Sequence, residues 1–242
     1  LTCDWSSDVC SSDLTVQYVN ASSTSSNYGR YLVVHHDWGD GPFFSLYAHL
    51  ESALVKTGQS VKAGQPIAKM GYTGRGINRE RAHVHVELNF LLNDRFQAWY
   101  GRHFTSPNHH GIYNGFNMTG MDIAALLKAH RANPQISIPQ FLAQHEEVYY
   151  KVLVPKSGKL SFLRRYPWLS AGTEKVAFPK SYEISFAATG VPLSIRPRNV
   201  SLSHPRVSYV KTSATNHSYF TVNRLTGTGN TATLTPSGSR YI

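Results

Sequence analysis

"YAHLESALVKTGQSVKAGQPIAKMGYTG", residues 47–74, decides the fold. Glycines at 58, 64, 71 and 74 break the segment into short runs around Val55, Val61 and Ile67. Runs of this length bounded by glycine read as tight hairpins between short β-strands. The pattern continues outward on both sides. Upstream, "YGRYLVVHHD" (28–37), a turn at "WGDGP" (38–42) and "FFSLYAHL" (43–50) form a strand–turn–strand unit, preceded by "TVQYV" (15–19). Downstream, "RAHVHVELNF" (81–90) closes the series. The expected architecture is mainly β, with an antiparallel sheet over residues 15–92 and His49, His83 and His85 on one open face.

In the closing stretch, side chains on a strand alternate between faces. His83, His85 and Glu87 are expected on one face, with Val84, Val86 and Leu88 toward the core. Neutral imidazole is both a common metal ligand and a base near neutral pH. Two imidazoles alone do not complete a zinc site, since catalytic zinc takes three protein ligands and an open position. Taken by itself, the pair also fits two half-exposed histidines on a polar sheet face.

Composition narrows the function classes. The chain has 242 residues, 41% hydrophobic, with a net charge of +10 and a sequence pI near 9.6. A basic surface favours anionic partners, whether nucleic acid, a membrane surface or a cell-wall polymer, and equally serves simple solubility. No Lys/Arg block has the form of a nucleic-acid-binding arm, so no nucleic acid partner is expected. No run of 18 apolar residues is present, so no membrane span is expected.

The first fourteen residues, "LTCDWSSDVCSSDL", read like one frame of a sequencing adaptor and are expected to lie outside the fold, without packed contacts. Both cysteines, Cys3 and Cys10, fall inside this stretch, so cysteine usage does not identify a compartment. On this reading the authentic protein begins upstream, and a signal peptide is lost with its N-terminus.

Residues 101–118 are rich in Gly, Asn and His and read as loop. Two helices are expected next. "MDIAALLKAHRA" spaces Ile123, Leu126, Leu127 and His130 helically and ends at Asn133-Pro134. "SIPQFLAQH" places Ser137 and Gln140 at capping-box spacing, with Pro139 early. From Glu146 onward about seven short β runs, including "KLSFLRRY" and "HSYFTVNR", suggest a small sandwich or barrel. The expected domains are a partial β-core at 15–105, a loop and helical connector at 106–145, and a C-terminal β domain of unknown role at 146–242.

Across residues 30–90 the sequence resembles the catalytic core of lysostaphin/LytM-type zinc endopeptidases, a fold akin to a duplicated hybrid motif. The resemblance is carried by Tyr47-Ala48-His49-Leu50, by the Val55-to-Ile67 hairpin, by Gly71-Tyr72-Thr73-Gly74, and by His83-Val84-His85 followed by Glu87. It implies Zn²⁺ as cofactor, peptidoglycan peptide as substrate, and a location in the cell envelope, periplasmic or secreted. It implies that His85 is a zinc ligand, that His83 is the catalytic base beside it, and that His49 positions water or stabilises the transition state. Tyr47 is expected to meet substrate. The family's other two zinc ligands come from an H-x-x-x-D motif upstream, which this chain lacks at that place, so the resemblance implies a zinc-dependent metalloendopeptidase in full-length form and an inactive fragment here. His36 is expected to be structural, His35 solvent-facing, and His109 and His110 part of a polar loop near the cleft.

The loop "RGINRERA" (75–82) is longer and more basic than the family's usual connection. Arg75, Arg79 and Arg81 either rim the cleft and meet substrate carboxylates as bidentate donors, or are simply a solvated loop. Two other classes stay open. One is a non-catalytic LytM-like binding or regulatory module. The other is a biotinyl- or lipoyl-type carrier, in which Lys69-Met70 would sit at a hairpin tip.

Overall fold

The computed structural model describes residues 14–158, 160–172 and 176–242. The chain divides into two compact units, meeting between Pro134 and Gln135. The expectation for residues 1–13 lies outside the described residues. Leu14, grouped with them, is corrected: it is fully buried and opens the first strand, because its register against Val61 points it into the core.

The first unit contains β1 (Leu14–Asn20), β2 (Tyr31–Asp37), β3 (Pro42–Ala48), β4 (Leu50–Ala53), β5 (Ser60–Val61), β6 (Ala68–Met70) and β7 (His85–Leu91). These are followed by α1 (Phe96–His103), β8 (Met118–Gly120) and α2 (Ile123–Ala132). Six strands form one antiparallel sheet in the order β5-β1-β2-β3-β7-β8. β4 and β6 form a separate antiparallel ribbon.

The sheet is covered on both faces. On one, Leu32, Val34 and Tyr47 pack with Val55, Val61 and Ile67, so the glycine-punctuated hairpin folds over its own sheet. On the other, Tyr31, Val33, Phe44 and Leu46 pack with Tyr28, Ile112 and Tyr113. This double burial explains why β2 reads as a continuous apolar run instead of alternating. Fully burying side chains such as Phe43 and Phe90, whose rings meet edge-on at 5.4 Å, contributes about 1.5–3 kcal/mol each.

Residues 106–145 are not a single connector. β8 completes the large sheet, while α2 closes the first unit. α2 is capped by Asp122, whose carboxylate accepts from the Ala125 N–H at 2.9 Å. Helix α1 was not anticipated from the sequence. Arg95 makes no side-chain cap there, and Gly101 lies inside the helix.

The second unit contains α3 (Ile138–His145), β9 (Tyr150–Pro155), α4 (Ser161–Arg165), β10 (Ser181–Phe186), β11 (Pro192–Arg198) and β12 (Arg206–Val210). It ends with α5 (His217–Phe220), β13 (Leu225–Thr226), β14 (Thr233–Leu234) and α6 (Pro236–Tyr241). α3 has the expected capping box between Ser137 and Gln140. β9 to β12 make a four-stranded antiparallel sheet ordered β11-β10-β9-β12, and β13 pairs with β14. The chain is therefore mainly β with antiparallel sheets and few helices. The seven-strand sandwich is corrected in detail. "KLSFLRRY" turns into α4, and "HSYFTVNR" into α5, where the Asn216 side chain accepts from the Ser218 N–H and so favours a helix start over a strand.

His36 reports on the first unit's stability. It is fully buried, bonded to the Ser45 hydroxyl at 2.7 Å, and burial together with the nearby His35 holds its pKa down to about 3. The folded chain therefore keeps His36 neutral while the unfolded chain protonates it near 6.5. Between those values the unfolded state binds the extra proton. The stability from this group is complete above pH 6.5 and falls as pH drops toward 3, by up to about 1.4 kcal/mol per pH unit. Replacing His36 with Gln should flatten the pH dependence of the urea midpoint between about pH 4 and 6. An unchanged slope would remove His36 as its source.

Candidate metal centre

β3 and β7 pair so that Ala48 faces His85. His49, the next residue, leaves β3 with a φ of 60°, a left-handed conformation unusual for a non-glycine residue. Three contacts hold it there. Its N–H donates to the Tyr28 carbonyl at 2.9 Å, the Leu50 N–H donates to Arg30 at 3.0 Å, and its ring Nδ1 lies 2.8 Å from the Thr73 carbonyl. With a carbonyl as partner, Nδ1 carries the proton and Nε2 carries the lone pair.

Thr73 is itself fixed. Its hydroxyl donates to the Leu50 carbonyl at 2.9 Å and accepts from the Arg30 N–H at 3.0 Å. Gly29 and Gly74 let the two turns approach. A Cβ on Gly29 would run into Thr73 and Gly74, and one on Gly74 into the Asn27 carbonyl.

His83 stands just before β7, not within it. The expectation that strand alternation places it is corrected: a single turn of 3-10 helix at Arg79–Arg81, capped by the Asn78 side chain, delivers it. Its Nδ1 lies 2.7 Å from the Arg81 carbonyl, so its Nε2 is also left with a lone pair. His85, in the strand, uses Nε2 to reach the Glu87 carboxylate at 2.6 Å. Glu87 further accepts from the Tyr28 hydroxyl at 2.8 Å and the Asn89 amide at 3.0 Å. Burial, with Glu87 beside it, pushes the Tyr28 phenol well above its ordinary range, so it stays protonated and donating.

The three rings converge. His49 lies 4.8 Å from His83 and 5.8 Å from His85 between ring centroids. One ligand atom from each of the three lies within 4.8 Å of the others. His49 is buried, His85 half-buried and His83 exposed, giving a centre with one open side. Burial pushes the His49 pKa down; the Thr73 carbonyl opposes this, and the neighbouring His83 and His85 reinforce it. Three convergent imidazoles suit a borderline-soft divalent ion such as zinc. Each has its outer nitrogen tied to a carbonyl or carboxylate, the arrangement that orients histidine ligands.

Other expected residues fall elsewhere. Tyr47 is 4% exposed and packs in the core on the sheet face away from Ala48, so it positions the strand and does not meet substrate. Arg75, Arg79 and Arg81 are exposed, with the Arg81 guanidinium donating to the Gly76 carbonyl at 2.8 Å. His35 is half-buried against Phe44 instead of solvent-facing. His110 is a buried bracket, its Nδ1 3.3 Å from the Tyr18 hydroxyl and its Nε2 3.2 Å from the Ser25 carbonyl. Lys69 sits in β6, paired with Ser52, and not at a hairpin tip, which removes the geometry that a carrier lysine needs. The sequence contains one H-x-x-x-D spacing, His36 to Asp40. It is at the wrong end of the sheet. His36 pairs with Phe43, five residues along β3 from Ala48, or about 17 Å at the rise of a strand. Sequence reasoning missed Tyr28 and Thr73, the residues that orient the histidines from behind. Thr73 was already visible in "GYTG", but its partner Arg30 lies 43 residues away.

Known proteins share this segment. The profile described as Peptidase family M23 matches residues 11–96, in line with the lysostaphin/LytM-type resemblance. The murein hydrolase activator EnvC of Escherichia coli is 51% identical over 75 residues, covering 31% of this chain and 17% of that protein. The peptidoglycan DD-endopeptidase ShyC of Vibrio cholerae is 39% identical over 75 residues, covering 31% of this chain and 16% of that protein. A solved structure, a zinc containing peptidase from Vibrio cholerae, shares 38% identity, covering 31% of this chain and 21% of that one, with a TM-score of 0.26. The chain thus spans only a small part of the curated relatives that it matches.

Gly74 tests how the centre is held. Its φ is +103°, and an added Cβ would also come within 3.1 Å of His49 Nδ1. Gly76 has a φ of +76° with nothing near it. Gly76→Ala should cost about 1–2 kcal/mol from backbone strain alone. Gly74→Ala should cost clearly more, about 3 kcal/mol or above, because strain and collision add. Urea unfolding of the two variants decides; equal losses would mean that the turn does not buttress His49.

Proposed function

We propose that this chain carries the histidine centre of a zinc-dependent endopeptidase acting on the peptide part of bacterial peptidoglycan in the cell envelope. One observation carries the reading. Three imidazoles, each held by an acceptor on one ring nitrogen, bring one ligand atom apiece within 4.8 Å of the others at a partly open place. The M23 match and relatives named for murein hydrolysis or its activation supply the polymer. No helix among the described residues is long and apolar enough to cross a membrane.

The outer partners suggest how the roles divide. His85 is the ligand: it alone has a carboxylate behind it, and a carboxylate raises the basicity of the nitrogen offered to a metal. Zinc bound there would supply a Lewis acid toward the scissile carbonyl. His83 is exposed, and its Nε2 lone pair suits a base that takes the proton from the attacking water. His49 is neutral through burial and also offers a lone pair, so it accepts from and orients that water. Arg75, Arg79 and Arg81, exposed on the loop that leads into His83, serve in this reading as donors for substrate carboxylates. The His36–Asp40 pair does not supply the further ligands that the resemblance calls for.

Two alternatives have their own support. The close grouping of the three nitrogens favours a site in which His49 and His83 also ligate the metal, as in three-histidine zinc sites. The activators among the relatives favour a non-catalytic module that regulates wall hydrolases. Zinc stoichiometry and peptidoglycan hydrolysis, measured together on single variants, separate these readings. On the leading one, this chain by itself binds zinc weakly, and in a protein that also supplies the H-x-x-x-D ligands His85→Ala loses zinc. His83→Ala keeps it and loses about 100-fold or more in turnover. Zinc lost equally in all three alanine variants establishes the three-histidine site. Zinc bound without hydrolysis by the wild type leaves the regulatory module.

A further inference from the structure

A strip of stacked aromatic rings begins beside the histidine centre and runs along the unanticipated helix α1. Phe116 is 61% exposed, although it is a large apolar residue. It stacks on Phe104 at 5.1 Å with 22° between the planes, and Phe104 meets Trp99 at 6.0 Å. Trp99 and Phe104 are half-buried. Beneath them, Phe96 and Tyr100 are 2% and 8% exposed and anchor the helix, stacking on Trp99 at 5.1 Å and on Phe104 at 4.7 Å respectively.

The buried rings account for the fold of this region. They do not account for the outer three, which keep ring surface in water at a cost in hydrophobic free energy. Nor is the strip remote. Gly115, next to Phe116, lies so close to Tyr28 that an added Cβ would be 3.1 Å from its ring. Tyr28 is 5.7 Å from the His85 ring and donates to Glu87. One glycine therefore separates the exposed end of the strip from the residue that orients the candidate ligand.

We propose that Phe116, Phe104 and Trp99 form a subsite for the glycan strand of the polymer whose peptide reaches the histidines. The identity of that polymer rests on the reading above. A pyranose ring has an apolar face, made of axial C–H groups, and a polar rim of hydroxyl and acetamido groups. An amphipathic surface suits it: ring faces for stacking, with polar and basic groups at the edges. His103 and Arg102 are exposed at the end of α1, and His103 lies 4.8 Å from Trp99. On the other flank, the Asn108 amide is held by Gln97 at 3.0 Å. Phe104 is stacked by both Tyr100 and Phe116, and Trp99 is tilted 56° from it, so the exposed ring of Phe116 is the stacking platform and the other two form its apolar border. This surface, continuous with the candidate site, suits the apolar face of a pyranose.

The test uses the full chain and a soluble, peptide-free oligomer of β-linked N-acetylglucosamine, titrated calorimetrically, with a sugar-free stem peptide in parallel. Phe116→Ala should weaken the oligomer at least tenfold. Phe116→Tyr, which keeps the ring, should restore binding, and both variants should bind the peptide as the wild type does. Because Phe116 is exposed, its loss should leave the melting temperature unchanged, so weakened binding will not be a folding artefact. No oligomer binding by the wild type at millimolar concentration overturns the proposal. So does wild-type affinity in Phe116→Ala, or a loss confined to the peptide, which would make the strip a peptide surface. Oligomer binding by this chain, with no cleavage of cross-linked peptide even when the H-x-x-x-D ligands are supplied, supports the strip while removing the peptidase reading. Cleavage without oligomer binding does the reverse.

Discussion

The register of β3 against β7 is the constraint from which the centre follows. Ala48 opposite His85 puts the last residue of one strand beside the first of its neighbour, so that His49, one residue past β3, and His83, two residues before β7, leave the sheet at the same end. A slip by one residue would move His85 and Glu87 to the other face, since side chains alternate with a period of two. The hydrophobic pattern forbids the slip. Leu46 and Phe44 on β3 lie in the cluster with Tyr31 and Val33, while Tyr47 packs against Val55 and Ile67 on the opposite face. Core packing thus fixes the register, and the register fixes which imidazoles meet.

His49 shows how an unfavourable local conformation is sustained. A left-handed backbone at a residue with a Cβ costs roughly 1–2 kcal/mol. It is offset by contacts with two turns distant in sequence, Tyr28–Arg30 and Thr73–Gly74, both of which need glycine to fit together. The outcome is electrostatic as well as steric. Burial, reinforced by His83 and His85, disfavours protonation of His49, and each ring has an acceptor that fixes which nitrogen carries its proton. A carbonyl faces His49 and His83, but a carboxylate faces His85. That asymmetry distinguishes otherwise similar ligands without any change in residue type.

Much of this was legible from residues 47–90, because the glycine spacing, the period-two alternation and the motif order are local signals. The helical spacing and Asn133-Pro134 stop that gave α2, and the capping box that gave α3, are local too. What escaped was set at long range or by weak signals. His83 leaves the strand because Asn78 caps a 3-10 turn ahead of it, a preference that an apolar H-x-H pattern hides. Tyr47 read as a substrate contact because it belongs to a motif, yet its position in the strand alternation buries it. α1 lacks a cap and contains glycine, so nothing in its own sequence announces it. In the second unit, "HSYFTVNR" alternates like a strand but becomes a short helix with Asn216 as its cap. Tyr28 stands in no expected motif role, and its hydrogen bond to Glu87 spans 59 positions.

The wall beside the centre is built differently from the sheet. Residues 105–117 contain no strand and only two single 3-10 turns, yet they are fastened at many points. His110 bridges Ser25 and Tyr18, and the Tyr31 hydroxyl donates to the Tyr113 carbonyl at 3.2 Å. The Tyr113 hydroxyl reaches Gln17 at 3.2 Å, and Asn117 is held by Asn93 and Ile112 at 2.8 Å. Polar side chains here satisfy the backbone groups that regular pairing would satisfy in a strand. Such a segment keeps a fixed position without presenting a regular face, which allows Gly115 to press against Tyr28 while Phe116 turns outward. Histidines and asparagines that look like candidate ligands in the sequence act as fasteners here, and the three at the centre differ from them in bringing one ligand atom each within 4.8 Å of the others.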